Sequence, residues 1–523
     1  MQSVLKPSRV VVNAASVSPA AILGVVMLGN FLGPLYSSTA NVIIPNLIAS
    51  FGSDVDTMEW VVTGYMLGYS ITMPLAGWLA DTLGRRRMFL IGLIIFTGFS
   101  IAASMAWSTS SLIAFRILQA VGGGIVSPTG MAIVTDVIPL KDRGKAFGLW
   151  GMGMMLAPAF GPWISGLLVD HLGDWRPIFL LGVPFGIAGL LAAMQYLPRS
   201  EDQSHNSAHT PFDSLGFALL SSSLTAFLIP LTQGNRVGWD DAWVRISLVL
   251  SAVLFASFIV RELRTQHPML DLSLFRDRVF SIATSLRFVL GMGYYFSIFL
   301  LPLFTQDILG WDATQSGFIL MPAGLAMAVL MPISGILVDK IGARVLIFSG
   351  MVLAAYGTLL FARIDTDWTM QHLIVVNVIR TAALGLLFTP LTTAALVNVP
   401  RHRTGAASGI LNTIWQVGGS LGIAVGQSYL TARAAARYNE VASSLVQSRP
   451  AAWTFFGKLH AMAAAHHWPA GTARAMLAQM AQGMAVVRAY DDTFLLGALL
   501  IGVSAPLALF LRYKAAAHSR RAA

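Results

Sequence analysis

Residues 33–46 read GPLYSSTANVIIPN, where Tyr36, Ser37, Ser38, Thr39 and Asn41 place four hydroxyls and an amide inside an apolar segment that begins near Ala20. Such groups donate and accept hydrogen bonds without charge, so the cluster reads as the lining of a cavity, where they find partners or water. Three arginines, Arg116, Arg287 and Arg380, stand in equally apolar surroundings. A guanidinium at the centre of a membrane helix costs about 2.5–3.5 kcal/mol on insertion scales, so each should face a cavity or a buried partner rather than lipid. No Walker-type phosphate loop, metal-ligand cluster or nucleophile, base and orienter set accompanies them. That argues against an enzyme and against a cofactor.

The elements that position these groups follow from composition. Of 523 residues, 55% are hydrophobic and 11% charged, against about 25% charged in an ordinary soluble domain. Apolar stretches of about 20 residues, each enough to cross a hydrocarbon core as a helix, recur along the whole chain. They predict spans at 20–46, 58–80, 88–107, 111–135, 145–169, 176–197, 213–232, 243–261, 280–305, 313–337, 345–363, 371–396, 405–431 and 491–512. The first is too long, and too plainly followed by others, for a cleaved signal peptide. With fourteen spans and the N-terminus inside, 21 of the 34 lysines and arginines fall in inside segments. The positive-inside rule then puts both termini in the cytoplasm. The net charge of +10 is a product of that topology rather than a nucleic-acid surface, and zero cysteines exclude disulfides and thiolate metal sites.

The sharpest motif is GWLADTLGRRR at 77–87, a charged hairpin between two spans. GILVDKIGAR at 335–344 repeats its Gly, Leu, Asp, Gly and Arg 258 positions later. Pro128, Pro139 and Arg143 are echoed by Pro390, Pro400 and Arg403 at offsets of 260 to 262. The chain is a duplication, the architecture of transporters that rock one half against the other around a midplane site.

On these residues the chain resembles the major facilitator superfamily, and within it the fourteen-span drug:proton antiporters of the EmrB/QacA type, over essentially its full length. The hairpin 77–87 matches the loop between spans two and three. FRILQAVGGG at 115–124 is similar to the fourth-span motif, with Arg116 and Gln119 in place. The fifth span resembles the antiporter motif through Gly148, Gly161, Pro162 and Gly166, with Ala157 and Ser165 where glycines are usual. PMLDLSLFRDRVF at 268–280 is similar to the segment before span nine. The resemblance implies an all-α membrane protein of the major facilitator fold, with two six-helix halves (1–200 and 276–523) and an inserted helix pair with its linkers (201–275).

Asp81 is placed to meet a helix N-terminus, and Arg85 or Arg86 to pair with Asp136. In the family such contacts lock the outward-open state, and Asp339 and Arg344 are the second-half counterparts. The alternatives are ordinary inside-loop charges and, for Gly161 and Pro162, a tightly packed helix without directional meaning.

In the fourteen-span exporters an aspartate commonly precedes the run NVIIP found here at 41–45, and Tyr36 holds its place. LNTIWQVGGSLG at 411–422 is similar to a stretch with arginine where Trp415 stands. Two opposite charges are absent together. All 24 Asp and Glu residues fall in loops or near span ends, and none of the ten histidines is in mid-span. A proton carrier is therefore sought at the ends, in Glu59, Asp307 or Asp136, each of which also reads as a rim or loop residue. Arg287 either snorkels to the inner interface or forms a cationic cavity wall beside Tyr294 and Tyr295.

These readings converge on a proton-driven exporter of small neutral or anionic amphipaths in the cytoplasmic (inner) membrane. Its aromatic cavity would draw polar contacts from Tyr36, Asn41, Gln119, Asn412 and Gln416, with Trp415 and the arginines around them. The rivals are a transporter of the same fold for a specific metabolite, siderophore or lipid, and a membrane sensor without flux. The 432–490 segment predicts one or two amphipathic helices, interrupted at Pro450 and Trp468-Pro469. In a double-membrane bacterium the resemblance implies a periplasmic adaptor and an outer-membrane channel as partners there; the alternative is a helix pair packed on its own transporter. His466 and His467 are adjacent, not on one helix face, so a metal site is not expected.

Overall fold

The structure, a computed structural model, describes residues 18–139, 142–198, 212–266, 268–400, 403–446, 457 and 472–511. Its secondary structure among these residues is helical: α1 (Pro19–Phe51), α2 (Val55–Leu83), α3 (Arg85–Ser104), α4 (Thr109–Val137), α5 (Arg143–Leu172), α6 (Arg176–Leu180), α7 (Val183–Tyr196), α8 (Ser214–Val237), α9 (Ala242–Arg264), α10 (Arg278–Asp307), α11 (Ala313–Ile341), α12 (Ala343–Leu360), α13 (Met370–Leu396), α14 (Thr404–Val446) and α15 (Thr472–Ser504). Twelve segments among the described residues are long and apolar enough to cross a membrane, α6 and α7 counting as one. The other two long helices, α2 and α14, are more polar because of Tyr65, Tyr69, Thr72, Asn412 and Gln416. They pack against each other at the centre of the bundle, where polar side chains avoid lipid.

Lipid offers no hydrogen bonds, so each crossing helix must close its own backbone ladder and cap its ends. Carboxylates do much of the capping: Asp54 accepts from Thr57 N at 2.7 Å, Asp213 from Gly216 N at 3.0 Å, Asp277 from Val279 N at 2.8 Å and Asp312 from Gln315 N at 2.6 Å. That is why acidic residues gather at span ends.

The sixth span is broken, although the sequence predicted a continuous 176–197. Pro184 has no N–H to return to Leu180, so the ladder stops after α6 and restarts in α7. Tyr36 closes the gap from α1: its hydroxyl donates to Phe179 O at 2.5 Å and accepts from Gly182 N at 2.9 Å.

The duplication appears in the backbone and in the packing. The α2–α3 and α11–α12 hairpins turn on Gly84 (φ 94°) and Gly342 (φ 82°), conformations that only glycine takes without strain. Helices α1 to α7 pack among themselves, as do α10 to α15. The two bodies meet where α5 lies along α11 and α2 along α14. At the arginine-rich end a side chain on Gly77 would strike the Gly405 carbonyl, and one on Gly335 would strike that of Gly144. Gly77 and Gly335 are 258 positions apart, so this is one close contact made twice.

Helices α8 and α9 stand outside both bodies, joined by Ser251 Oγ donating to Ser223 O at 2.9 Å and the reverse bond at 3.2 Å. Leu228 and Leu231 of α8 pack with Leu67 of α2 and Ala424 of α14, covering the groove between those helices. Of the 432–490 segment the structure describes the two ends: α14 runs unbroken for 43 residues to Val446, about 64 Å at 1.5 Å per residue, and α15 begins at Thr472. No proline or glycine interrupts 427–446, and Asp492 of α15 holds Arg433 and Arg437 of α14 at 2.8 and 2.9 Å. Pro450, His466, His467, Trp468 and Pro469 lie outside the described residues.

A Cβ on Gly148 would press into Met331 O and Pro332 of α11, whereas one on Gly98 meets nothing. Gly148→Ala should therefore lower the thermal-unfolding midpoint of the detergent-solubilised protein by the equivalent of about 1–3 kcal/mol of overpacking, with Gly98→Ala leaving it unchanged. Equal midpoints for the two variants would contradict the close α5–α11 contact.

Candidate functional site

A cavity lies between the two bodies, walled by Pro34 and Ser37 of α1, Tyr65, Met66, Tyr69 and Met73 of α2, Ser127 of α4, Met154 of α5, Tyr295 of α10, and Asn412, Trp415 and Gln416 of α14. About 370 Å³ of atom-free space lies between these walls, part of it open to solvent and only a small part enclosed. The enclosed part has room for about one water, so a larger guest requires the bodies to part. Among the described residues the wall contains no Asp, Glu, Lys, Arg or His. Its chemistry is aromatic faces and thioethers with a few hydroxyls and amides, a surface that adapts to varied apolar bodies. Tyr295 Oη donates to Gln416 Oε1 at 3.4 Å, and Tyr294, Tyr295 and Trp415 pack ring against ring at 5.3–6.0 Å. Asn412 Nδ2 donates to Ser408 O at 2.9 Å and reaches Met131 Sδ of the other body at 3.8 Å.

The polar patch of α1 is divided among three faces. Ser37 lines the cavity, and Ser38 and Thr39 pack against Gly161 of α5. Tyr36 points the other way, to the α6–α7 break, and is 1% exposed. The Asn41 side chain lies outside the described residues. Pro162 packs beside Gly317 of α11.

All three arginines are buried. Arg116 bonds Val61 O at 3.3 Å, Gln119 Oε1 at 2.8 Å and Tyr36 O at 3.0 Å, and its guanidinium lies 4.1 Å from the Tyr65 ring centroid. Gln119 passes the chain on to Ser100 Oγ at 2.8 Å, which donates to Phe179 O at 2.9 Å. Arg116 and Gln119 thus brace α1, α2, α3, α4 and α6 and face neither cavity. Arg287 bonds Leu411 O at 3.2 Å and Thr392 Oγ1 at 2.5 Å and stacks 4.4 Å from the Phe388 centroid. It ties α10 to α13 and α14, not to the inner interface, and lines neither cavity. Arg380 lines a second cavity, which like the first has room for about one water in this state, with Tyr294, Asn377, Thr381, Leu320 and Gly324, closed by Pro158 and Ala159 of α5.

At the arginine-rich end, Asp81 of α2 accepts from Ala406 N at the start of α14 at 3.1 Å and from Arg85 at 3.1 Å. Arg85 pairs with Asp136 of α4 and donates to Ala132 O at 3.0 Å and Thr404 Oγ1 at 2.7 Å. Arg86 instead reaches Met194 O at 2.6 Å. One carboxylate and one guanidinium therefore fasten the first body to the N-terminus of a helix in the second. Arg344 is exposed, and the side chains of Asp339 and Glu59 lie outside the described residues. Asp307 is exposed at the opposite end, and Asp136 is held by Arg85. Sequence reasoning missed Tyr65, Tyr69 and Met73, whose four-residue spacing on α2 was the available signal.

A sequence profile of the Major Facilitator Superfamily matches residues 26–423. The chain is 33% identical over 407 residues to the multidrug resistance protein Stp of Mycobacterium tuberculosis, covering 77% of this chain and 74% of that one. It is 29% identical over 440 residues to the multidrug export protein EmrB of Haemophilus influenzae, covering 83% and 84%. The crystal structure of the human organic anion transporter MFSD10 (TETRAN) aligns with a TM-score of 0.59 at 16% identity, covering 93% of this chain and 100% of that one, a likeness of fold. Profile, relatives and architecture agree: the chain belongs to the Major Facilitator Superfamily, and is a membrane transporter of small molecules rather than an enzyme.

Proposed function

We propose that the protein exports small amphipathic compounds, neutral or anionic, from the cytoplasm by alternating access, drawing on the proton gradient. The observation that carries this reading is the cavity wall, which offers aromatic, thioether and amide contacts and, among the described residues, no carboxylate to hold a cationic substrate. The names of the relatives, multidrug resistance and multidrug export, support export of varied compounds. The positive-inside rule assigns the arginine-rich end, and both termini, to the cytoplasm. The contacts of Asp81 and Arg85 then close the cytoplasmic side. Charge-assisted hydrogen bonds are worth about 1.5–3 kcal/mol each, enough to hold a closed state and few enough to be released in each cycle. Asp81 and Asp136, two carboxylates facing one arginine, are the groups we assign to proton coupling, because among the described residues no carboxylate lines the cavity. The extended ends of α14 and α15 would meet a periplasmic adaptor and outer-membrane channel.

In an efflux-deficient bacterium, the chain should protect against neutral and anionic amphipaths and not against matched cations, and collapse of the proton gradient should abolish protection. Protection confined to cations would overturn the substrate class, and protection that survives the collapse would overturn the coupling.

The lock can be read separately because the chain has no cysteine. Ser408, fully buried behind the Asp81 contact, serves as a single reporter through Ser408→Cys. In inside-out vesicles, Asp81→Asn should raise its reaction rate with a membrane-impermeant maleimide by about tenfold, the equivalent of a 1.4 kcal/mol shift toward the cytoplasm-open state. An unchanged rate would remove Asp81 from the lock.

A further inference from the structure

Arg116 and Arg380 occupy corresponding helices of the two bodies, α4 and α13, yet their surroundings differ. Each nitrogen of Arg116 has a protein acceptor. Arg380, ten residues into α13 and about 15 Å along its axis, is 2% exposed and engages only Nη2, to Asn377 Oδ1 at 2.8 Å and Thr381 Oγ1 at 3.2 Å. Its Nε and Nη1 are buried without a partner. Among the described residues no carboxylate pairs with it. Arg287 also keeps one unpaired nitrogen, but it lies against Phe388 and outside both cavities. Among the described arginines, Arg380 combines unpaired guanidinium donors with a cavity wall.

A buried guanidinium without counter-charge is costly, and the cost is relieved when an anion supplies the missing acceptors. We propose that Arg380 forms a subsite for the anionic oxygen group, carboxylate or sulfonate, of an amphipathic substrate. Asn377 positions it: its Nδ2 is anchored on Ile319 O at 3.3 Å, and its Oδ1 fixes the guanidinium. The aromatic body of the substrate lies toward Tyr294, whose neighbour Tyr295 faces the main cavity. Ala159 of the other body closes the pocket, so an anion bound there is held between the two bodies. This subsite deepens, and rests on, the reading of the chain as an exporter of neutral or anionic amphipaths.

The test compares 2-naphthoate with its uncharged isostere 2-naphthamide by equilibrium dialysis against the purified full-length protein at physiological salt. The wild type should bind naphthoate at least about tenfold more tightly than the amide, as expected for a charge-assisted site. Arg380→Gln should reduce naphthoate affinity to that of the amide and leave the amide unchanged. Ile298→Trp, which fills the pocket without touching the bonds of Arg380, should also lose the preference and serves where Arg380→Gln does not fold. Equal binding of the two compounds by wild type, or a naphthoate preference that persists in either folded variant, overturns the subsite. Reconstituted flux separates the two readings. Naphthoate preference without transport of any amphipath would support the subsite and sink export, whereas transport of neutral amphipaths without naphthoate preference would do the reverse.

Discussion

The hydrocarbon core supplies no water to an unpaired polar group, and this structure is arranged around that constraint. Where α6 gives way to α7, two backbone groups are released within a membrane span, and a tyrosine hydroxyl donates to one and accepts from the other. Where an arginine enters α4, its three nitrogens are distributed among α1, α2 and its own helix, and its neighbour Gln119 extends the network to α3. Solutions of this kind stiffen the first body into a unit. A body that moves as a unit is what an alternating-access transporter requires.

Between the bodies the contacts are of a different kind. Gly77 against Gly405 and Gly335 against Gly144 bring backbone to backbone with no side chain to interdigitate, and hydrogen bonds across the seam are concentrated at Asp81 and Arg85. Dispersion between flat surfaces is large in sum but not keyed to one geometry, whereas the ionic contacts are short and directional. The seam thus separates adhesion, spread along α5–α11 and α2–α14, from directional contacts, gathered at one end in a few charged groups that the proposed cycle would make and break.

Fold and family were legible in the sequence because both rest on patterns that survive without tertiary information. Span lengths, the 258-residue echo of Gly, Asp and Arg, and the hairpin glycines at 84 and 342 are one-dimensional signals. The direction in which a side chain leaves a crowded helix is not. Tyr36 and Ser37 are adjacent in a patch that reads as one cluster, yet only Ser37 reaches the cavity, because a helix turns by 100° at each residue. Arg287 read as either an interface or a cavity residue and proved to be neither, since its partners, Leu411 and Thr392, lie more than 100 positions away. The helix break after α6 was foreseeable from Pro184; its repair by Tyr36 was not.

The two charges that the family resemblance places at 36 and 415 are replaced by aromatic residues with tasks of their own. Tyr36 seals the broken span, and Trp415 packs with Tyr294, Tyr295 and Phe388 beside the cavity. Removing an aspartate and an arginine together leaves the net interior charge as it was, but it removes the carboxylate that could answer the arginines that remain. Arg116 and Arg287 are satisfied chiefly by carbonyls, a hydroxyl and ring faces, which solvate a cation without neutralising it. The central region therefore carries positive potential in a medium of low dielectric, where such potential is felt most strongly. A cavity with neutral walls inside a positive field is compatible with the proposed class of neutral and anionic compounds, the charge lying mostly one layer behind the wall and reaching a cavity wall at Arg380.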